Sequence, residues 1–383
     1  MPKRWFEFVL YAAVSSLMLA AAFISGYYTR SLTGGEGSGY PLLAEAQRII
    51  DANYIGDLPD QTAVEYGLIR GLVGALDDPY TVFVEPQQAE LDSDNLQGAF
   101  GGIGSLVQQN EAGEFVLSPL PESPAALAGI MEGDILLTVD GVMLTSETSL
   151  DEVVARVRGE IGTDVTLTIR TGEDAPRQVS VTRAKFEIPS TTWQLYAKDE
   201  TVGIIDVDRF SERTPDEVEQ AVEELLTGGA TGLVLDLRGN GGGLLDAGVS
   251  VAGLFLDGGD VLHEVRRDRP EKTFEADKGG AAEDYPIVVL IDGGTASASE
   301  IVAGALHDRG RAALIGQSTY GKGSVQLVFE LSDGSSLHVT NARWFTPNRT
   351  PIDGTGLQPD IVVEGSDGIP ALARAAQYLR NLP

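Results

Sequence analysis

The chain contains no cysteine, and its three histidines are His263, His307 and His338. Without thiols there is neither a disulfide nor a thiolate metal site. Three scattered histidines do not assemble a His-rich site either, so no metal and no cofactor is expected. Positive charge is scarce as well. Only 27 basic residues face 57 acidic ones, for a net charge of −30. Such a surface repels the phosphates of nucleic acid and of anionic lipid, which excludes nucleic acid as an expected partner.

What is present is enough apolar side chain to fold. Hydrophobic residues make up 43% of 383, and that length suits two or three domains. One run has no charge at all, FVLYAAVSSLMLAAAFISGYY, 21 residues from Phe8 to Tyr28. About 20 apolar residues cross a bilayer as a helix, and Trp5, Tyr27 and Tyr28 stand at its two ends as interfacial aromatics do. The alternative is a cleaved signal peptide, whose apolar region is usually about 7–15 residues. Residues 1–30 therefore read as a signal-anchor or transmembrane helix, through which the chain partners the cell membrane in a single pass. Lys3 and Arg4 keep the N-terminus inside, so the catalytic or binding bulk is expected outside the cytoplasm, periplasmic or extracellular, and secreted if the segment is cleaved. SLTGGEGSG, residues 31–39, reads as a flexible linker.

Beyond the linker the patterning changes twice. Residues 40–97 carry helical spacing in two runs, the second ended by DDPY. Residues 98–185 form a β-rich module: a glycine cluster GAFGGIGSLV, a strand ending at Asp-Gly in GDILLTVDG, a Ser149-capped helix, then the alternating VTLTIR and QVSVTR. From about residue 200, continuous apolar strands alternate with helices, as in a parallel sheet covered on both faces. Residues 364–383 hold an amphipathic helix with Leu372, Ala375, Ala376, Leu379 and Leu382 on one face.

Three stretches in the α/β part fall at the carboxyl ends of these strands, where open α/β sheets hold their sites. They are DLRGNGGG (236–243), IDGGTASASEI (291–301) and TYGKGSVQ (319–326). In the second, a helix begins within Ser297–Ile301. Ser297 then sits where amides are unpaired and the helix dipole is positive, which suits a nucleophile, with the Ala298 N–H directed at an oxyanion. Ser297 and Ser299 are equally well read as caps, and one can cap while the other attacks. No histidine lies in a setting that suits a base. Lys322, flanked by glycines, can serve if it is neutral; bringing a lysine from about 10.4 to near neutrality takes roughly 4–5 kcal/mol, which burial can supply. Strand alternation puts Lys322, Ser324 and Gln326 on one face, so Gln326 can orient the amine. The glycine run 241–243 lets amides line a cavity, as an oxyanion hole, a phosphate nest or a plain turn. GQSTYGKGS also has the spacing of a phosphate-binding loop, yet Gly323 stands where that loop needs Ser or Thr for magnesium.

These stretches, in this order and spacing, resemble the carboxyl-terminal processing, or tail-specific, serine proteases. LDDPYTVFVEP, FGGIG and GLQPDIVV resemble other parts of that family, so the resemblance runs from about residue 40 to the end. It implies a multi-domain α/β fold: a crotonase-like protease core (186–363) with an inserted β-rich PDZ domain (98–185) and a small N-terminal helical segment (40–97). It further implies an endopeptidase that cleaves proteins near their C-termini, with Ser297 as nucleophile, Lys322 as base and Gln326 as its support. Ala298 and Gly242 are the expected oxyanion donors. Many family members carry Pro where Gly241 stands.

The PDZ assignment has a physical basis of its own. Gly102, Ile103 and Gly104 can form a nest for a terminal carboxylate, and the strand from Ile103 to Val107 can pair with an extended tail. Val153 and Val157, one helical turn apart, either line an apolar pocket or belong to the core. Protein or peptide substrates with apolar C-termini are the partners this predicts. A PDZ adaptor without activity is the rival reading, and intact Ser297, Lys322 and Gln326 count against it.

Overall fold

The computed structural model describes residues 40–110, 112–145, 147–363 and 369–382. The expected anchor and linker, residues 1–39, lie outside them. Among the described residues no helix is long and apolar enough to cross a membrane. The chain divides into two compact units, Met1–Gly67 and Leu68–Pro383. Helix α1 (Pro41–Asn53) belongs to the first, and α2 (Gln61–Gly74) begins there and ends in the second. Proline opens α1 because its missing N–H costs nothing in a first turn.

The segment read as helical is not only helical. Residues Val82–Val84 form β1, which pairs antiparallel with residues 336–338 far along the chain. Helix α3 (Pro86–Gln97) follows, closed by Gly98 at φ 69, the left-handed position that favours glycine.

The β-rich module then runs through β2 (Ala99–Gly102), β3 (Ser105–Gln109), β4 (Phe115–Pro119), α4 (Pro124–Leu127), β5 (Asp134–Val139), β6 (Val142–Met143), α5 (Leu150–Val157), β7 (Asp164–Arg170), β8 (Arg177–Thr182) and β9 (Ala184–Glu187). Its sheet has the order β3-β4-β5-β7-β8, with β6 paired to β5 and a separate β2–β9 ribbon. Alternation decides the faces: Val165, Leu167 and Ile169 of β7 and Val179 and Val181 of β8 all enter one core with Phe115, Leu117 and Leu136. Ser149 caps α5, its Oγ accepting from the Glu152 amide at 3.2 Å.

The α/β core continues with β10 (Thr191–Tyr196), β11 (Asp199–Val207), α6 (Thr214–Thr227), β12 (Gly232–Asp236), α7 (Leu245–Gly253), β13 (Gly259–Arg266), β14 (Lys272–Ala276), β15 (Ile287–Ile291), α8 (Ala298–Asp308), β16 (Ala312–Gly316), β17 (Ser324–Glu330), β18 (Ser336–Phe345), β19 (Ile361–Val362) and α9 (Ile369–Arg380). Six strands in the order β10-β11-β12-β15-β16-β19 form the main sheet, parallel from β11 onward. Leu233 and Leu235 enter the core that includes residues of α6, α7 and α8, while Val234 between them joins Ala375, Ala376 and Leu379 of α9. Both faces are covered, which is why β12 and β15 read as unbroken apolar runs. A second, antiparallel sheet holds β1-β18-β13-β14, with β17 on β18.

Candidate active site

Strand β15 ends fully buried, and the next residues turn sharply under the hold of Asp292. Its Oδ1 accepts from the amides of Gly239 (2.9 Å) and Gly294 (2.8 Å). Thr295 Oγ1 donates to Leu237 O at 2.8 Å, tying the same turn to the end of β12. Ser297 follows at φ 57, ψ −118, a conformation that a residue with a Cβ rarely takes. Strain of this kind costs on the order of 1–3 kcal/mol and persists only where surrounding bonds over-determine it. Its position between strand and helix is that of a nucleophile on a sharp turn.

Both serines of the pair are accounted for. Ser299 is buried and donates its hydroxyl to Asn240 O at 2.9 Å. Ser297 is half-buried at the N-cap, and its amide donates to Glu300 Oε2 at 2.9 Å. The Ala298 amide, first in α8, has no hydrogen-bond partner among the described residues. That is the donor an oxyanion needs.

The glycine run lies directly against this turn. A Cβ on Gly242 would stand 2.8 Å from Ser297 Cβ and 3.0 Å from the Ala298 amide nitrogen, so only glycine fits. The Gly242 amide itself donates to Asn240 Oδ1 at 2.8 Å. Asn240 is fully buried and holds the assembly together: Nδ2 donates to Val207 O at 2.7 Å, and its carbonyl accepts from Ala296 N and Ser299 Oγ.

Lys322 arrives on the loop between β16 and β17. Its amide donates to Glu300 Oε2 at 2.9 Å, the oxygen that also takes the Ser297 amide. Thr319 Oγ1 and the Gly321 amide donate to Glu300 Oε1 at 2.5 and 2.8 Å. One buried carboxylate thus accepts four bonds and joins the serine turn to the lysine loop. On the far side, Lys322 O accepts from Trp344 Nε1 at 2.9 Å, and Gly321 and Gly323 pack on residues 352–356 with no room for a Cβ.

The Lys322 side chain is half-buried. Burial pushes its amine below the ordinary lysine value, with the Glu300 carboxylate opposing. Nζ lies 5.2 Å from the centre of the Tyr80 ring. No hydrogen bond joins Nζ to Ser297 Oγ or to Gln326 among the described residues.

Gln326 donates from Nε2 to Ser324 Oγ (2.9 Å) and Thr340 Oγ1 (3.3 Å). Lys322 precedes β17 rather than lying in it, and a bulge falls between Val325 and Gln326, so simple alternation does not relate these residues. Thr340 in turn accepts at its hydroxyl from nothing on β17 but Gln326, and its amide donates to Thr81 Oγ1. Thr81 donates to Asp78 Oδ2 at 2.6 Å. For Asp78 burial pushes upward, yet the hydrogen bonds from Thr340, Thr81 and the Tyr80 and Thr81 amides hold its carboxyl below the usual range. The DDPYT segment is therefore bonded into the surroundings of Lys322 and sets Tyr80 against its amine. The Tyr80 hydroxyl is pushed up to about 12 by burial, with Tyr320, Asp353 and Glu300 adding to it.

The residues of the β-rich module that the sequence marks for tail binding are placed differently from one another. Gly102 is paired within β2. Ile103 is buried in the core, while its amide and that of Gly104 (φ 69) have no hydrogen-bond partner among the described residues. Strand β3 is a sheet edge, beginning at Ser105 rather than Ile103. Val153 and Val157 point into the module's core, as helix positions packed on a sheet do; of the two readings, the structure places them in the second.

Sequence reasoning passed over Glu300, Asn240, Tyr80 and Asp292. A signal existed for the first: Ser297-x-x-Glu300 has the spacing of a capping box. For the others the linking contacts are long-range and leave no local pattern.

The chain matches the profile of peptidase family S41 over residues 201–363 and that of a PDZ domain over residues 115–171. It is 36% identical over 341 residues to a carboxy-terminal-processing protease of Bartonella bacilliformis, spanning 87% of this chain and 77% of that protein. With a carboxyl-terminal-processing protease of Synechocystis sp. it shares 40% over 304 residues, spanning 78% and 71%. Among solved structures, a photosystem II D1 C-terminal processing protease aligns at 32% identity over 88% of this chain and 97% of that one, with a TM-score of 0.48.

Proposed function

The chain belongs to peptidase family S41, the carboxyl-terminal processing serine proteases, and on that premise we propose that Ser297 is its nucleophile and Lys322 its general base. The observation that carries this reading is the Glu300 carboxylate, whose Oε2 accepts from both the Ser297 and the Lys322 amide. With both backbones held to one atom, the loop that carries Lys322 is tied to the turn that carries Ser297.

The chemistry follows acyl-transfer logic. Neutral Lys322 takes the Ser297 proton as Oγ attacks the scissile carbonyl. The Ala298 amide holds the oxyanion, and Gly242 supplies the second donor once its amide exchanges Asn240 Oδ1 for the substrate oxygen. Protonated Lys322 returns the proton to the leaving amine, and water then releases the acyl-enzyme. Gln326 supports the lysine through its bonds to Ser324 and Thr340.

The PDZ domain captures the apolar tail. The open amides of Ile103 and Gly104 receive its carboxylate, and the edge of β3 takes its backbone. The uncharged run Phe8–Tyr28 anchors the chain in one pass, with the catalytic part outside the cytoplasm, or is cleaved to release it. The test is Ser297→Ala. Cleavage of a peptide with an apolar C-terminus should vanish while the peptide still binds; cleavage at an unchanged rate would remove Ser297 from this role.

A further inference from the structure

A cleft of about 1200 Å3 opens between α3, the PDZ domain and strand β17. It reaches the catalytic loops at two points. Leu244 in its wall follows the glycine run 241–243, and β17, which supplies Val328 and Glu330, begins two residues after Lys322. Strand β17 pairs with β18 on one edge and with no strand on the other among the described residues. Val328 and Phe329 on it are 53% and 50% exposed. The cleft lies over the face of this β17–β18 pair, where Val328 and Glu330 line it with their cross-strand partners His338 and Ser336.

The wall of this cleft is lopsided in charge. Glu90, Asp92 and Asp94 come from α3, Glu160 from the PDZ domain, and Glu212, Glu330 and Asp333 from the core, against Arg156 and His338. Arg156 is already paired with Glu152 at 2.7 Å. His338 is held below the ordinary histidine value by burial and by the charge of Lys322, with Asp92 opposing, so it adds no cation near neutral pH. Glu160, Glu212 and Glu330 pair with no cation among the described residues. Asp94 stands 3.7 Å from Arg158, but its buried Oδ2 has no hydrogen-bond partner. Burial pushes Asp94 up to about 6 and raises Glu90, the nearby arginines notwithstanding. The wall thus keeps negative charge at Glu160, Glu212 and Glu330 that no cation of the described residues pairs with.

Resting on the protease reading above, we infer that this cleft receives the extended segment of a protein substrate ahead of its apolar C-terminus and selects segments carrying lysine or arginine. The occupant has to be cationic, which a second copy of a chain with net charge −30 is not. Nucleic acid fails for the same reason, and no metal-binding cluster lies among the described residues. Leu96, Phe100, Ile161 and Val328 in the wall give aliphatic stems an apolar surface while the acids take the charged ends.

The test uses two peptides with the same scissile region and apolar C-terminus, one with three lysines and one with three glutamines in the stretch between. The full chain should cleave the lysine peptide with a kcat/KM on the order of tenfold higher at low salt, the margin shrinking in 0.5 M NaCl. The double variant Glu160→Gln, Glu330→Gln, at two exposed positions, should bring the two peptides to nearly the same kcat/KM. Equal kcat/KM on both peptides overturns the inference alone, as does a margin that survives in the double variant. Cleavage of neither peptide overturns the protease reading and the inference with it.

Discussion

Ser297 and Lys322, 25 positions apart in the sequence, donate their amides to the same oxygen, Oε2 of Glu300, each at 2.9 Å. The second carboxylate oxygen takes Thr319 and Gly321 from the lysine's loop. The placement of the Ser297 and Lys322 backbones relative to each other is thus governed by one buried side chain.

Glu300→Gln should expose that dependence. A glutamine side chain replaces one acceptor oxygen with a donor, so two of the four incoming N–H or O–H groups lose their partner. Leaving such groups buried costs about 2–4 kcal/mol in stability. Misplacement of the reacting groups by about 1 Å costs on the order of 100-fold in rate. Steady-state kinetics should show the loss in kcat, with KM little changed; a fall confined to KM would argue for a role in substrate binding.

Two adjacent glycines should behave in opposite ways. Gly242→Ala forces a Cβ to within 2.8 Å of Ser297 Cβ at φ 102, and should lower kcat by on the order of 100-fold. Gly241→Ala places its Cβ where nothing lies within 4 Å, and should keep near-native activity. Equal effects of the two substitutions would mean that the close approach at 242 is not what matters.

The pH profile reports on Lys322 in its proposed role. Burial lowers the Lys322 value, so the neutral amine gains population below the ordinary lysine range and activity should rise with pH earlier than a free lysine would permit. The Tyr80 ring favours the charged amine, as do the Glu300 carboxylate and any cation–π contact. Tyr80→Leu should therefore move the rising limb to lower pH, and Tyr80→Phe should leave it nearer the wild type. A limb that stays in place in Tyr80→Leu would separate the ring from the base.

Asp94 gives a stability prediction of defined sign. Its folded value, raised from 3.8 to about 6, means that the folded chain holds a proton the unfolded chain has released. Stability contributed by that proton is present below about pH 4 and is lost as pH rises through about 6. Asp94→Asn should match the wild type near pH 4 and exceed it by on the order of 2 kcal/mol at pH 7.5. Urea unfolding at the two values measures the gap, and a gap that closes as pH rises contradicts it.

Much of this was readable from local pattern. Continuous apolar runs in β12 and β15 announce a sheet covered on both faces, and Ser297 in GTASASEI announces a helix mouth after such a strand. Local pattern is silent about partners that fold brings from afar. The pairing of β1 with β18, the Tyr80 ring beside Lys322, and Asn240 bridging Val207 to Ala296 all depend on long-range register. The bulge at Val325–Gln326 defeats alternation for a similar reason, since an inserted residue shifts the face without changing the composition. Val153 and Val157 show the converse: helical spacing identifies an apolar face, but the same face serves a pocket or a core.

The most direct measurement is the kcat of Lys322→Met on a peptide with an apolar C-terminus at pH 8. Methionine keeps the length and apolar stem and removes the amine, so the fold and peptide binding should hold while turnover falls by at least about 1000-fold. Turnover within a few-fold of the wild type would contradict the assignment of the base.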